Sequence, residues 1–271
     1  MQAFSFSETD SWLRRRNPSM KLAAHLATTL IVTLVFDPFT PLAFTAVAFV
    51  AGRLLGRIPV LRLASALTGF WLLGISLVIS NALFAHDPAG ATMLFAWGPL
   101  RGTIEGAMIG LALAERMAAI AAFSIIFTMS TDPTDLVRSL VQQLRMPPRF
   151  AYPLLAAYRF LPGLQGEYET IRLAQRLRTG RPARGPIAWF RQQRRVIVPL
   201  FAGAIRRTDR VAVAMDSRAF ESGARRTCYR RIRVGWPDVA LLVATISIGV
   251  AILAGSATVG VLRIWTGSLG T

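Results

Sequence analysis

Five runs of almost purely apolar residues divide this chain, at 22–36, 42–55, 64–84, 103–129 and 239–259. Nothing constrains its fold more. A helix without a polar face has nothing to turn toward water, and runs near 20 residues match the hydrocarbon thickness of a bilayer. Inside hydrocarbon every backbone polar group must be satisfied within the segment, so the runs must be helical. Composition agrees, with 53% hydrophobic residues, 17% charged residues and a mean hydropathy of +0.46. The first two runs are short for upright spans, and Asp37-Pro38-Phe39-Thr40-Pro41 between them reads as the turn of a tight transmembrane hairpin. The expected fold is all-α and polytopic, with about five transmembrane helices and a layer of about three amphipathic helices on the cytoplasmic side.

Charge assigns the sides. The net charge is +17 from 31 basic residues, of which Lys21 is the sole lysine. Residues 131–236 hold 21 arginines against seven acids, and so carry most of that excess. Further arginines lie before the first run (Arg14-Arg15-Arg16) and between the second and third (Arg53, Arg57, Arg62), whereas the alternate loops hold few. Positive-inside bias then gives a cytoplasmic N-terminus, a cytoplasmic 131–236 block and an external C-terminus in a cell membrane. Three regions follow: 1–130 with four transmembrane helices, 131–236 with cytoplasmic helices, and 237–271 with the last transmembrane helix and an external tail. Residues 1–19 are polar and lead into the first run without a small-residue cleavage pattern, so no cleavable signal peptide is expected. A single cysteine, Cys228, excludes an intramolecular disulfide, and two histidines argue against a zinc site. His25 on the first run reads as a packed histidine, and His86 with Asp87 as solvated loop residues.

The fourth run has its own texture. Gly102, Gly106, Gly110, Ala114, Ala118 and Ala122 recur every four residues, which on a helix makes a smooth ridge for close approach of another helix. The simpler reading is packing within this chain; the other is docking of a separate membrane subunit. Glu105, Glu115 and Arg116 lie on the same run, where charge is costly and marks functional candidates. Adjacent helical residues do not face each other, so Glu115 and Arg116 are expected to find separate partners.

The arginine-rich block is helical by pattern. Thr131-Asp132-Pro133-Thr134-Asp135 is a helix start, leading through Leu136, Val137, Leu140 and Leu144 to a stop at Pro147-Pro148. A longer helix is expected from about Arg149 to Arg178, kinked at Pro162. After Gly180, Pro182, Gly185 and Pro186, another runs from about Ile187 to Phe220, with a stripe of Ile197, Phe201, Ala204, Thr208, Val211 and Met215. These helices are too charged to span and too apolar on one side to stand alone, so they should lie at the membrane surface or cross one another.

Two short signals then fall at helix C-terminal ends: Ala174-Gln175-Arg176-Leu177-Arg178-Thr179-Gly180 and Ala214-Met215-Asp216-Ser217-Arg218-Ala219-Phe220. Cations are favoured at such ends by a few tenths to about 1 kcal/mol, and for most arginines that is explanation enough. The functional reading is that Arg178 and Arg218 project into an acidic partner, where a planar guanidinium holds two oxygens at once.

With these residues the chain resembles a known family, the transmembrane T component of energy-coupling factor (ECF) vitamin and metal-ion importers. Four features carry the resemblance in order: Asn17-Pro18-Ser19-Met20-Lys21-Leu22; the Arg116 span leading to Thr131-Asp132-Pro133-Thr134-Asp135-Leu136; Tyr158-Arg159-Phe160-Leu161-Pro162 before Ala174-Gln175; and Ala214 to Phe220 with Arg226-Thr227 beyond. Members carry Ala-Arg-Gly or Ala-Arg-Ser triplets at the ends of two coupling helices, where this chain has Leu177-Arg178-Thr179 and Ser217-Arg218-Ala219. The resemblance implies a non-enzymatic scaffold that binds no cofactor itself. Its partners would be two ABC-type ATPases that bind ATP, and a membrane substrate-binding S subunit that takes up a vitamin or metal ion. Ala174, Gln175, Leu177, Arg178 and Thr179 would meet one ATPase, and Ala214, Ser217, Arg218 and Ala219 the other.

Two other classes compete. An intramembrane enzyme could use Glu105, Glu115, Arg116 and His25, but one span carries all the acids. A membrane-tethered nucleic-acid binder could use the arginine block, but its aromatics sit on the apolar stripes rather than beside the arginines as stacking platforms. The absence of a P-loop lysine is consistent with a partner supplying the ATPase.

Overall fold

The computed structural model describes residues 11–84, 93–97, 100–179, 185–218 and 230–260. They form two compact units, one of residues 1–139 with 232–271 and a second, 140–231, inserted between those pieces.

The first unit is built on α1 (Pro18–Thr33), α2 (Phe39–Leu54), α3 (Val60–Phe84), α4 (Ile104–Ser130) and, after the inserted unit, α8 (Trp236–Thr258). α5 (Pro133–Gln143) leaves α4 and crosses the boundary between the units. The helix starts follow local chemistry. Asn17 caps α1, its Oδ1 accepting from Ser19 N at 3.0 Å with Pro18 in the first turn. Asp37 accepts from Thr40 N at 2.6 Å at the α1–α2 turn, Thr103 from Gly106 N at 3.3 Å at the start of α4, and Asp132 from Thr134 N at 2.7 Å before α5.

α3, α4 and α8 are long and apolar enough to cross a membrane, at 25, 27 and 23 residues. α1 and α2 have 16 residues each, which at about 1.5 Å per residue is near 24 Å and short of a hydrocarbon core of about 30 Å. The connection between them falls at residues 34–38, so Phe39, Thr40 and Pro41, expected in the turn, belong to the first turn of α2.

α4 is the spine. Its small residues pack against α3 at Gly110, where an added Cβ would lie 2.6 Å from Val78 Cα, and at Ala114, 3.1 Å from the equivalent point on Gly74. One core cluster joins Ala48, Leu63, Leu67, Ala122, Ile126 and Met129, and a second joins Val32, Phe44 and Ala119. Outward-facing Leu26, Leu30, Leu72, Leu73, Ile75 and Ile79 are exposed, as lipid-facing residues are in a chain taken without its bilayer.

Two findings depart from the sequence reading. The loop before α4 holds a short antiparallel pair, β1 (Met93–Trp97) and β2 (Leu100–Thr103), in register at Ala96 with Arg101 and Trp97 with Leu100. Gly102 lies on β2, and Thr103 is the cap of α4, so the small-residue ridge begins at Gly106 rather than at Gly102.

The second unit is an antiparallel-type crossing of α6 (Pro148–Thr179) and α7 (Pro186–Asp216), with the turn of Gly185 (φ +88°) opening α7. The helix boundaries match the proline and glycine punctuation, and α6 continues through both Pro153 and Pro162. The crossing is held by an ion pair between Arg207 and Glu167, by the Arg207 guanidinium 5.9 Å from the Phe160 ring, by Tyr168 with Gln193 at 3.2 Å, and by Val196, which is fully buried.

Candidate partner-binding site

Both signal arginines end helices of the second unit. Arg178 occupies the last turn of α6, and Arg218 follows the α7 cap residue Ser217, with Arg218 N donating to Met215 O at 3.1 Å. Both side chains are exposed, so each guanidinium stands at the partially negative end of its helix and is free to reach outward. Ala174, Leu177, Ala214 and Ser217 are exposed and Gln175 half-buried. Leu177 is 87% exposed beside Arg178. Ser217 Oγ donates back to Ala214 O at 3.0 Å. Ala219, Phe220, Gly180, Arg226, Thr227 and Cys228 lie outside the described residues.

Beside Arg178 the structure adds what the periodicity did not isolate. Gln175 and Arg178 of α6 line a groove of about 680 Å³ with Arg191, Arg194, Arg195, Val198 and Pro199 of α7. Four guanidinium groups share it, and none of its lining residues is acidic. The signal was in the sequence as 175/178 and 191/194/195, each at helical spacing, but their convergence depends on how α6 and α7 cross.

The apolar stripes of both helices remain open: Leu154, Tyr158 and Leu161 on α6, and Ile197 and Phe201 on α7, are between 41% and 63% exposed. An apolar surface therefore stays uncovered in the isolated chain.

The polar residues of α4 differ in what they meet. Arg116 donates to Val35 O at the α1–α2 turn and lies 4.3 Å from the Phe36 ring centroid, with Asp37 close enough to be felt electrostatically. Glu115 is buried, and its Oε2 meets no hydrogen-bond partner among the described residues. Glu105 lies exposed in the first turn of α4 and makes interactions there. Gly106, Gly110 and Ala114 are buried, with Gly110 and Ala114 against α3 of the same chain. His25 stacks on Phe127 at 5.8 Å and its Nε2 is 3.2 Å from Ser124 Oγ, as a packed histidine would be. Among the described residues no group of three or more His, Cys, Asp or Glu side chains could hold a metal ion.

Comparison with known proteins agrees in one direction. The CbiQ family, described as "Cobalt transport protein", matches residues 9–229. The energy-coupling factor transporter transmembrane protein EcfT of Limosilactobacillus fermentum is 30% identical over 89% of this chain and 92% of its own. EcfT of Thermosediminibacter oceani is 32% identical over 87% and 90%. A protein of Bifidobacterium longum that carries the name ABC transporter ATP-binding protein is 29% identical over 90% of this chain, which corresponds to 32% of its own length.

Proposed function

The chain belongs to the CbiQ family, the transmembrane T components of ECF transporters and not enzymes, and from that premise we propose that it couples two ATPases to a membrane S subunit. Nucleotide-driven closing of the ATPases moves α6 and α7, and that motion reorients the S subunit in the bilayer during uptake of a vitamin or metal ion. Arg178 and Arg218 are the contacts, one to each ATPase. The observation that carries this reading is their position: exposed, at the C-terminal ends of two crossed helices in one compact unit.

The arginine groove supports the same reading. A guanidinium cluster of this density asks for several carboxylates at once, so Arg191, Arg194 and Arg195 extend the Arg178 contact toward an acidic groove. Asp216 stands two residues before Arg218 at the second contact. Leu177, between Arg176 and Arg178, supplies apolar cover at the first contact. The Bifidobacterium relative, an ATP-binding protein by name, matches 90% of this chain within a longer polypeptide, which favours an ATPase as the neighbour.

Five spans are retained in this reading, with α1 and α2 as a short hairpin packed on α4 and α8. The N-terminus and 131–236 face the cytoplasm, and the chain beyond α8 lies outside, as the arginine distribution requires. ATP is bound by the partners, and this chain holds no cofactor.

The test is co-purification. Arg178→Glu with Arg218→Glu should abolish recovery of the ATPases on the tagged chain, and uptake with it, while leaving membrane insertion intact. Normal recovery of ATPases with the double variant would remove the contact assignment.

A further inference from the structure

The inserted unit is joined to the membrane helices by two strands of chain, one leaving α4 through α5 and one returning into α8. Both are held at the base by a single short segment, Asn17 to Lys21. Lys21 Nζ donates to Ser130 O, the last residue of α4, at 2.8 Å. Asn17 Nδ2 donates to Arg233 O at 3.2 Å, and Asn17 N donates to Asp238 Oδ1 at 2.9 Å. The other oxygen of Asp238 accepts from Gly235 N at 2.8 Å, which fixes the entry to α8, and Arg16 lies 3.9 Å from Oδ1. Within the inserted unit the two strands are joined to each other: Gln142 Nε2 donates to Arg230 O at 2.9 Å. The same N-terminal segment is tied to the end of α2 by Leu13 N donating to Leu55 O at 3.1 Å.

The chemistry of Lys21 is unusual for a merely structural contact. It is the sole lysine, 5% exposed, and stands one residue before the first apolar run. Its ammonium lies within electrostatic reach of Asp135 in the first turn of α5 and Asp238 in the first turn of α8, with Arg14 opposing. Burying a charge there costs stability that an apolar side chain of the same length would recover. What the ammonium supplies in return is attachment to one strand while facing the acids that begin both.

We propose that Asn17, Lys21 and Asp238 form a clamp that passes displacement of the two connecting strands into α1, α4 and α8, so that these are positioning residues for coupling rather than for assembly. This rests on the ATPase-coupling reading above. In it, α6 and α7 receive the nucleotide-driven motion and the two strands carry it. The clamp makes α1 move with them, and through Leu13 and Leu55 the end of α2 as well. Without it the strands shift while the membrane helices lag.

The experiment uses the tagged full chain expressed in its own host, with Cys228→Ser and spin labels at Leu61 on α3 and Val250 on α8, both exposed. The distance between labels is measured on the co-purified complex without nucleotide and with Mg–ATP plus vanadate. The unmodified clamp should show a nucleotide-dependent change. Lys21→Met with Asn17→Ser, which keeps a helix-capping side chain at 17, should lose at least about half of that change while ATPase recovery and ATP hydrolysis stay at the parent level. A full change in the double variant would overturn the clamp, and so would its absence from the parent complex with ATPases bound. If the double variant does not assemble, the single variants decide, since a full change in both overturns the clamp. Failure of the parent chain to recover any ATPase would instead refute the coupling reading, and the clamp with it.

Discussion

Lys21 carries a charge where burial opposes one. Burial lowers its ammonium from the ordinary 10.5 to about 8, with Asp238 and Asp135 working in the other direction and Arg14 adding to the lowering. The folded chain therefore releases this proton at lower pH than the unfolded chain does. Between about 8 and 10.5 the unfolded state binds more protons, so stability rises with pH across that window and is least below it. At about 1.4 kcal/mol per unit the effect is on the order of 3 kcal/mol. Thermal unfolding of the purified chain in detergent should give a midpoint that climbs from pH 8 to 10, against any general alkaline loss. In Lys21→Met this climb should vanish and the midpoint near pH 7 should rise. A midpoint in Lys21→Met that tracks the parent at every pH would show that the group is not perturbed. Arg116 makes the opposite use of charge. It is anchored to Val35 O and Phe36 beside Asp37 as a latch on the α1–α2 turn, while Glu115 is buried apart from it, as adjacent helical residues that do not face each other allow.

At the scale of elements, the α3–α4 seam decides how close the two longest helices approach. A Cβ at Gly110 would meet Val78 Cα at 2.6 Å and Leu77 O at 2.9 Å, both backbone atoms that cannot swing away. Gly110→Ala gains up to about 1 kcal/mol of helix propensity but forces the helices apart, at a cost of about 1–3 kcal/mol. The net expectation is a lower unfolding midpoint in detergent. Gly255→Ala on α8, with nothing within 4 Å, should instead be neutral or stabilising by about 0.5–1 kcal/mol. Equal effects of the two substitutions would contradict the seam. This is also where the legibility of the sequence divides. Prolines and glycines set the limits of α5, α6 and α7 to within a few residues, because Pro148 and Pro186 can start a helix and Gly185 can take a positive φ. The four-residue repeat announced close packing, and it is met at Gly110 and Ala114. Gly102 was misplaced because period alone cannot mark where a helix begins; the Thr103 side chain that caps α4 does. The β1–β2 pair was missed because Met93 to Trp97 is a short apolar run that a strand and a membrane-loop segment share.

Over the whole molecule, sequence order hides what the fold brings together. Asn17 and Asp238 are separated by 221 positions and share a hydrogen bond, and the groove beside Arg178 draws three of its arginines from another helix. Neither follows from local pattern, because the first depends on an insertion whose ends return to one place and the second on how α6 and α7 cross. The sidedness of that insertion does follow from local pattern, through the arginines, and it can be measured directly. Cys228 is the sole cysteine and falls in the arginine-rich stretch just before the return to α8. With 21 arginines in 131–236, moving this block across an energised membrane would oppose both the positive-inside bias and the cost of desolvating each charge. A membrane-impermeant maleimide should therefore fail to label Cys228 in right-side-out vesicles and label it in inverted ones or after permeabilisation. A cysteine placed at Gly260, beyond α8, should show the reverse pattern. Labelling of Cys228 from outside would put α6, α7 and both signal arginines on the wrong side for an ATPase, and the proposed contacts would fall together. Loss of sidedness at position 260 alone would leave the contacts in place and revise only the number of crossings, since α8 is the one helix between positions 228 and 260 among the described residues and would then not span.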